Sequence, residues 1–276
     1  MTLTIGIDVG STYTKAAVAD EEGAVAARTS SPTGYNFTRA AEAALEQVLE
    51  AADVGRDDIS YVAATGYGRY MVPFRDLAIT ELTCHAWAIH NYFPAVRTVL
   101  DIGGQTAKAI RLDETGRVRA FRLNDKCAAG SGAFLEKTVR YMGYEVTDIP
   151  QLAEDASDPA EVSSVCTVFA ESEVINHLAG GRSAEDICAG AVLALAGRAG
   201  QLVKRVKPES EYALSGGLTR VPRMKRELEE LLGCELHVGE EELGAYAGAL
   251  GAAMLAHRRL QKLQAAMSAY PERAVG

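Results

Sequence analysis

The chain has 276 residues, of which 48% are apolar and 24% are charged, and its formal net charge is −9. This length favours two domains over one. The negative charge argues against nucleic-acid binding as the main role, because phosphate backbones attract cationic surfaces. Apolar runs fall short of the roughly 20 residues of a membrane span, and the N-terminal MTLTIGIDVGS enters a strand pattern instead of a signal peptide. We therefore expect a cytoplasmic protein with no nucleic-acid or membrane partner.

Five cysteines are spread widely along the chain, namely Cys84, Cys127, Cys166, Cys188 and Cys234. An odd number without an export signal argues against a disulfide framework. Each cysteine is then either a small buried apolar residue or a ligand or nucleophile, and burial is the commoner case. The local sequence around each one has to decide.

The first part of the chain is predicted to open with a hairpin. Residues 3–8 form a predicted strand that ends on Asp8, and a second strand over 13–19 follows the turn at 10–12. The next segments predict a third strand from residue 24, an amphipathic helix over 38–52, a strand over 61–65 and a helix over 80–92.

The same pattern then begins again. A strand over 98–101 ends on Asp101, a turn follows at 103–105, and a strand returns over 107–112. Downstream, the sequence predicts helices over 130–143, 168–179, 184–206, 219–232 and 243–267, strands over 211–214 and 235–238, and a loop through Pro150 and Pro159.

The two hairpins are an internal repeat. They match without a gap at one constant offset: Asp8 with Asp101, Gly10 with Gly103, Lys15 with Lys108, Asp20 with Asp113, Gly23 with Gly116, and Val25 with Val118. Repeats fix the architecture before any local motif does. We expect two similar α/β halves that face each other, one over 1–95 completed by the C-terminal helix 243–276, and one over 96–242.

The repeated turns have the composition of phosphate-binding sites. Glycine permits backbone geometry that other residues resist, and consecutive backbone amides in such a turn can cradle phosphate oxygens. A carboxylate at the strand end can hold Mg²⁺ through water, because that ion dehydrates reluctantly. The predicted phosphate, magnesium and charge-neutralising residues are Asp8, Gly10, Ser11, Thr12, Lys15, Asp101, Gly103, Gly104 and Lys108.

Two further features complete the predicted nucleotide site. Ser215-Gly216-Gly217 follows a short strand, and a Gly-Gly pair there lets a flat ring approach the backbone, which suits adenosine. Gln105 is our candidate for orienting the attacking water, the role that Gln has in several NTPases. Either hairpin alone is equally compatible with a simple β-turn, and the chain has neither a P-loop nor a Rossmann glycine motif.

Three segments resemble a known ATPase superfamily. GIDVGSTYTK, DIGGQTAK and SGGL are similar to the phosphate-1, phosphate-2 and adenosine motifs of actin, sugar kinases and heat-shock chaperones, and they occur in the same order. The resemblance implies a duplicated ribonuclease-H-like α/β fold with a nucleotide cleft between its two domains. ATP or ADP with Mg²⁺ is the implied ligand.

Cys127 and Cys166 each precede a predicted helix, in NDKCAAGSG and SSVCTVFAESEVI. A helix N-terminus favours a thiolate, and its free amides can hydrogen-bond cluster sulfides. Two cysteines supply half of the four thiolates of a typical [4Fe–4S] cluster, and a twofold axis through the cluster would supply the rest. Burial in the core is the competing interpretation of both.

These two segments resemble the BadF/BadG/BcrA/BcrD-type ATPases, which include the activators of 2-hydroxyacyl-CoA dehydratases and the ATP-binding subunits of benzoyl-CoA reductases. TELTCHA and ATGYGR are similar to that family as well. The resemblance implies that Cys127 and Cys166 ligate one [4Fe–4S] cluster per dimer, in a homodimer or a pseudo-symmetric heterodimer. It also implies ATP-driven electron transfer from a donor such as ferredoxin or flavodoxin to an iron–sulfur acyl-CoA dehydratase or reductase.

The remaining candidates are interpreted as structural. We expect Cys84, Cys188 and Cys234 in the core, His177 and Trp87 in packing roles, and Glu171 and Glu173 as solvated helix carboxylates. A small-molecule kinase and a non-redox ATP switch are the alternative functions on this fold. A kinase would need a general base beside a sugar pocket, for which the sequence offers no clear candidate.

Overall fold

The computed structural model describes residues 2–20, 24–124, 130–162, 167–240 and 242–269, and only the backbone of 167–171 and 269. The chain forms two compact units, residues 1–88 with 246–276 and residues 89–245. The sequence-based boundaries fall at 95/96 and 242/243. Both chain crossings of the observed division lie inside helices.

Strands and helices alternate along the chain in two similar runs. In chain order, the described elements are strands β1 (Leu3–Val9), β2 (Tyr13–Ala19) and β3 (Val25–Pro32), helix α1 (Phe37–Ala52), strands β4 (Ile59–Thr65) and β5 (Leu77–Ala78), helix α2 (Glu81–Tyr92), strands β6 (Thr98–Ile102), β7 (Ala107–Leu112) and β8 (Val118–Leu123), helices α3 (Gly132–Tyr141), α4 (Ile149–Asp155), α5 (Thr167–Ala179) and α6 (Ala184–Lys204), strand β9 (Tyr212–Ser215), helix α7 (Pro222–Leu232), strand β10 (Leu236–His237) and helix α8 (Leu243–Ala269).

The first unit is built on a five-stranded sheet in the order β3-β2-β1-β4-β5. The three strands β1 to β3 are antiparallel neighbours, and β4 pairs parallel to β1. Helix α1 begins where the Asn36 side chain accepts the backbone N–H of Arg39, a regular N-cap. Its small residues and Val48 pack on the apolar face of β1, where Ile5 and Ile7 are fully buried. This packing fixes the hairpin end of β1.

The second unit repeats this topology with the order β10-β9-β6-β7-β8. Strands β6 to β8 are antiparallel neighbours, and β9 pairs parallel to β6 as β4 does to β1. The registers agree residue by residue: Asp8 lies opposite Lys15, and Asp101 lies opposite Lys108. The predicted duplicated α/β fold is therefore confirmed.

Helix α6 is the central helix of the second unit's core. It is long and apolar enough to pass for a membrane span by length and composition, but 72% of that stretch is buried inside the unit. Its inner face packs with Phe134 of α3 and Leu214 of β9. A buried core helix of this kind meets the same length and composition criteria without a membrane.

Three sequence expectations need correction. The predicted loop through Pro150 contains helix α4, because Pro150 stands in its first turn, where a missing N–H removes no helical hydrogen bond. The helix expected over 219–232 begins at Pro222, after a short 3₁₀ turn over Gly217–Arg220. The two-residue strand β5 and the strand β8 were not predicted.

Candidate nucleotide site

The first predicted phosphate turn is a closed β-turn. Gly10 N donates to Tyr13 O at 3.1 Å, and a Cβ on Gly10 would lie 2.7 Å from that same oxygen, so the turn requires glycine. The end of β3 braces it, because Thr33 Oγ1 donates to Gly10 O at 2.9 Å and Thr33 N donates to Thr12 O at 2.9 Å. The turn is thus held from one side by its own sheet.

The second turn closes in the same way and is braced differently. Gly103 N donates to Thr106 O at 2.8 Å. The carbonyls of Gly103 and Gly104 accept hydrogen bonds from the first amides of α3. Gly132 N donates to Gly103 O at 3.0 Å, and Ala133 N donates to Gly104 O at 2.7 Å. The turn and the start of α3 therefore form one hydrogen-bonded unit.

Asp101 lies in a buried polar cluster at the end of β6. Its Oδ2 accepts from Lys108 Nζ at 2.7 Å, and its Oδ1 accepts from Ser215 Oγ at 3.4 Å. The side chains of Asp101 and Lys108 are 2% and 9% exposed. The predicted adenosine residue Ser215 and the predicted magnesium residue Asp101 are therefore direct neighbours within the second unit.

A strand-end glycine lies against each of the two carboxylates. Gly216 has φ = +91°, and a Cβ on it would lie 2.6 Å from Asp101 Oδ1. Gly66 has φ = +87°, and a Cβ on it would lie 2.5 Å from Asp8 Oδ1. In the strand registers, Thr65 of β4 lies opposite Asp8 of β1, and Ser215 of β9 lies opposite Asp101 of β6. Thr65 and Gly66 thus belong to the candidate site, although the sequence analysis assigned them no role.

The other predicted residues divide between the two units. Ser11, Thr12 and Lys15 are half-buried around the first turn, and Lys15 Nζ lies 6.0 Å from the Tyr246 ring centroid. Gln105 is exposed at the second turn, and Gly217 opens the 3₁₀ turn after the Ser215-Gly216 strand end.

The two predicted cluster ligands, Cys127 and Cys166, lie outside the described residues. Their flanks are informative, because α3 begins five residues after Cys127 and α5 begins directly after Cys166. These two helices pack against each other. Within the described ranges, no group of three or more His, Cys, Asp or Glu side chains is arranged to hold a metal ion.

The other cysteines behave as neutral thiols. Burial raises the pKa of Cys84 and of Cys188 to about 12. Both are buried, as expected, and Cys188 Sγ donates to Ile149 O at 3.9 Å. Cys234 is only half-buried, so its assignment to the core was partly wrong, and desolvation raises its pKa as well.

The remaining side chains are placed as follows. Trp87 packs under the Arg258 guanidinium, 4.5 Å from the ring centroid, and His177 Nε2 lies 3.0 Å from the carbonyl oxygen of Glu161. Glu173 is half-buried, and its enclosed Oε2 has no hydrogen-bond partner among the residues that the structure describes, so it is not the fully solvated carboxylate that we expected. The Glu171 side chain is outside the described part.

Known proteins share this arrangement over nearly the whole chain. A family model described as the BadF/BadG/BcrA/BcrD ATPase family matches residues 5–256. The chain belongs to this family. It is 40% identical over 259 residues to the activator of lactoyl-CoA dehydratase from Anaerotignum propionicum, which covers 94% of this chain and 99% of that protein. It is 35% identical to a benzoyl-CoA reductase subunit from Thauera aromatica, over 95% of this chain and 96% of that one.

A solved structure agrees with this assignment. The activator of the 2-hydroxyisocaproyl-CoA dehydratase from Clostridium difficile with bound ADPNP has a TM-score of 0.89 and 35% identity, covering 96% of this chain and 97% of that one. The resemblance seen in the sequence and the actin/sugar-kinase fold class are both confirmed. As a member of an ATPase family, the chain has turns that fit a magnesium nucleotide. Each turn contains a glycine, and a carboxylate, Asp8 or Asp101, lies near the end of the strand that precedes the turn.

Proposed function

We propose that this chain is an ATP-hydrolysing electron-transfer activator that delivers low-potential electrons to a partner acyl-CoA dehydratase. The observation that carries the proposal is the hydrogen bonding of α3, the helix that follows Cys127, to the carbonyls of the Gly103–Gly104 turn. The dehydratase-activator relatives, which match over nearly the whole chain, indicate the class of partner.

In this proposal the two turns bind the nucleotide phosphates with backbone amides. Asp8 and Asp101 hold Mg²⁺ through water, and bound Mg²⁺ would neutralise charge on the phosphates. The strand end at 215–217 receives the adenosine end, and the relative solved with bound ADPNP supports nucleotide binding by a chain of this fold. The other residues assigned to phosphate binding are Gly10, Ser11, Thr12, Lys15, Gly103 and Gly104.

Gln105 orients the attacking water. Its side chain is exposed next to the second turn, where a water molecule can reach it. A side-chain amide can accept from water and donate to a phosphate oxygen at the same time. Hydrolysis consumes one water and gives ADP and phosphate, so the group's task is positioning and not covalent chemistry.

Cys127 and Cys166 of two copies supply four thiolates in this proposal, which makes the protein a homodimer. A [4Fe–4S] cluster held there would carry one electron at a time, from a donor such as ferredoxin or flavodoxin, which is oxidised, to the dehydratase, which is reduced. The packing of α3 against α5 supports this pairing, because each helix starts shortly after one of the cysteines. We place the protein in the cytoplasm.

Coupling between the nucleotide site and the proposed cluster site follows from the hydrogen bonds that join the second turn to α3. A shift of the turn upon nucleotide binding moves the carbonyls of Gly103 and Gly104, and these carbonyls hold the first amides of α3. Hydrogen bonding and solvent exposure set cluster potentials, so the shift changes the potential. By linkage, reduction must then change nucleotide affinity by the same factor.

A second candidate is an ATP-binding subunit of a reductase complex. The 35% identity to the benzoyl-CoA reductase subunit over most of both chains favours it. The two candidates differ in assembly, since a dehydratase activator would purify as a homodimer and a reductase subunit in a larger complex. Anaerobic purification followed by identification of the co-purifying chains separates them.

The main proposal is tested by measuring iron content and ATP hydrolysis in the same preparation. Anaerobically purified protein should be brown, hold about four irons per dimer and hydrolyse ATP. Cys127→Ser and Cys166→Ser should each lose the iron, whereas Cys188→Ser, which changes a buried neutral thiol, should keep it. Full iron retention in both ligand variants would contradict the cluster assignment, and a colourless protein without iron would favour a kinase or a non-redox switch.

A further inference from the structure

The Asp8 carboxylate and the imidazole of His85 border the same residue of α8. A Cβ placed on Gly248 of α8 would lie 2.5 Å from Asp8 Oδ2 and 3.1 Å from His85 Nε2. Both atoms therefore border the bare Cα of Gly248. His85 is 6% exposed, so its ring is held in the interior and does not sample solvent.

Close backbone packing brings these groups together. Helix α8 lies so near β1 that a Cβ on Gly6 would be 1.9 Å from Ala249 O. The same helix lies so near α2 that a Cβ on Gly251 would be 1.9 Å from Cys84 O. Strand β1 carries Asp8 and helix α2 carries His85, so both side chains are drawn to the same stretch of α8.

The neighbouring thiol gives independent evidence that α2 lies beside Asp8. The Asp8 charge adds to burial in raising the pKa of Cys84 to about 12. Cys84 is thus a neutral thiol and a weak donor. His85 is the stronger donor at this part of α2, because an imidazole N–H donates more strongly than a thiol.

We propose that His85 is a positioning residue for Asp8: its Nε2–H donates to the carboxylate and fixes the orientation in which Asp8 meets the water shell of the bound Mg²⁺. The inference rests on the proposed function, which makes Asp8 a magnesium residue. At Asp101 the corresponding task falls to Lys108, at 2.7 Å, and to Ser215.

The experiment compares substitutions that move or remove one donor. His85→Gln keeps an N–H near the position of Nε2, His85→Asn places its amide near the position of Nδ1, and His85→Ala removes both. Gly248→Ala approaches from the other side, because its methyl group would occupy the space between the two atoms. His257→Ala is the matched control: it removes a buried imidazole from α8 whose two nitrogens have no hydrogen-bond partner within the described part of the chain.

The readouts are kcat and KM for ATP hydrolysis, the Mg²⁺ concentration for half-maximal rate, and calorimetric binding of ADP at several Mg²⁺ concentrations. Misplacement of a reacting group can cost up to about a hundredfold in rate. We expect His85→Ala, His85→Asn and Gly248→Ala to lower kcat by about 10- to 100-fold, to require more Mg²⁺, and to weaken ADP binding only where Mg²⁺ is limiting. His85→Gln should restore most of the rate.

The outcomes separate this inference from the function beneath it. A wild-type protein that does not hydrolyse ATP would overturn both. Normal wild-type turnover with unchanged kcat and Mg²⁺ dependence in His85→Ala would overturn the role of His85 alone, as would equal losses in His85→Gln and His85→Asn. If His85→Ala does not fold, the Gln and Asn variants, which keep more of the side-chain volume, decide the question.

Discussion

The two hairpins have the same backbone and different neighbours. Each carries an Asp opposite a Lys, a glycine turn closed by one hydrogen bond, and a positive-φ glycine against the carboxylate. The first turn is braced by Thr33 of its own sheet, and the second by the amides of α3. The duplicated hairpin therefore determines where the carboxylates and turns lie. The elements that pack around each hairpin determine which groups contact them.

The clearest packing difference is at one pair of equivalent positions. Gly6 on β1 allows α8 to reach the strand backbone, whereas the matching position on β6 is Val99, which is fully buried as an ordinary core side chain. Because Gly6 has no side chain, the backbone of α8 packs directly on β1, the strand that carries Asp8. In the second unit, β6 packs at the matching position through the side chain of Val99.

Exchanging these residues is the strongest test of the comparison. Gly6→Val should abolish folding or cost well over about 3 kcal/mol, the upper end of ordinary overpacking, because its Cβ would lie 1.9 Å from Ala249 O and 2.5 Å from Ala253 N. A truncation at the matching position, Val99→Ala, should cost about 2 kcal/mol, as a simple truncation in a core does. Thermal unfolding by calorimetry measures both. Equal losses would show that the two positions are packed alike.

The buried ion pair in the second unit gives the next largest effect. Lys108→Met should destabilise the protein by about 3–5 kcal/mol, because it leaves the Asp101 carboxylate buried without its cation. The matching change in the first unit, Lys15→Met, should cost clearly less, since Lys15 is only half-buried. Urea unfolding measures both. The double variant Asp101→Asn with Lys108→Met should regain much of the loss, and no recovery would show that Lys108 acts through packing alone.

The duplication was visible in the sequence because its signals are local. Asp8, Gly10 and Lys15 recur as Asp101, Gly103 and Lys108 at a fixed spacing, and a hairpin keeps neighbours in sequence close in space. Strand and helix positions followed from alternation and periodicity. The fold class, the turns and the correspondence of Asp8 and Lys15 with Asp101 and Lys108 could therefore be predicted from the sequence.

What was missed depends on contacts between distant segments. Thr65 and Gly66 join the site because β4 pairs with β1, a partnership that composition does not reveal. His85 Nε2 and Asp8 Oδ2 both border Gly248, a residue far along the chain that has no side chain. Helix α4 was missed for a local reason: Pro150 was taken to interrupt structure, when its place in the first helical turn makes it compatible with a helix start.

The turns also differ at one position that concerns catalysis directly. Gln105 of the second turn corresponds to Thr12 of the first at the constant repeat offset. Gln105→Thr should lower kcat for ATP hydrolysis by about a hundredfold, the loss seen when one transition-state hydrogen bond is removed, with little change in ATP affinity. Steady-state kinetics and nucleotide binding measure the two effects. Thr12→Gln is the matched control and should not raise the rate. Normal turnover with weak ATP binding would reassign Gln105 to ground-state binding.

The smallest expected effect is on the pH dependence of stability, at the far end of the second hairpin, where Asp113 corresponds to Asp20 of the first. Each carboxylate accepts the backbone amide four residues on, at 2.9 Å from Arg117 N and at 2.8 Å from Ala24 N. The Arg117 amide, followed by the Thr115 hydroxyl, lowers the pKa of Asp113 to about 2. In the unfolded chain the pKa returns to about 3.9. The folded state is therefore favoured above about pH 4, and this contribution disappears as the pH falls towards about 2.

Asp113→Asn should accordingly be less stable than the wild type at neutral pH by a small amount that shrinks to nothing as the pH falls from about 4 to about 2. Urea midpoints measured across this range follow the difference. Arg119→Gln is the control, because Arg119 lies 3.0 Å from Asp113 Oδ2 but is the weakest of the causes that depress its pKa. If the amides of the turn set the pKa, Arg119→Gln keeps nearly the whole pH dependence. If Arg119→Gln instead removes the pH dependence as completely as Asp113→Asn does, the ion pair and not the turn holds this end of the repeat.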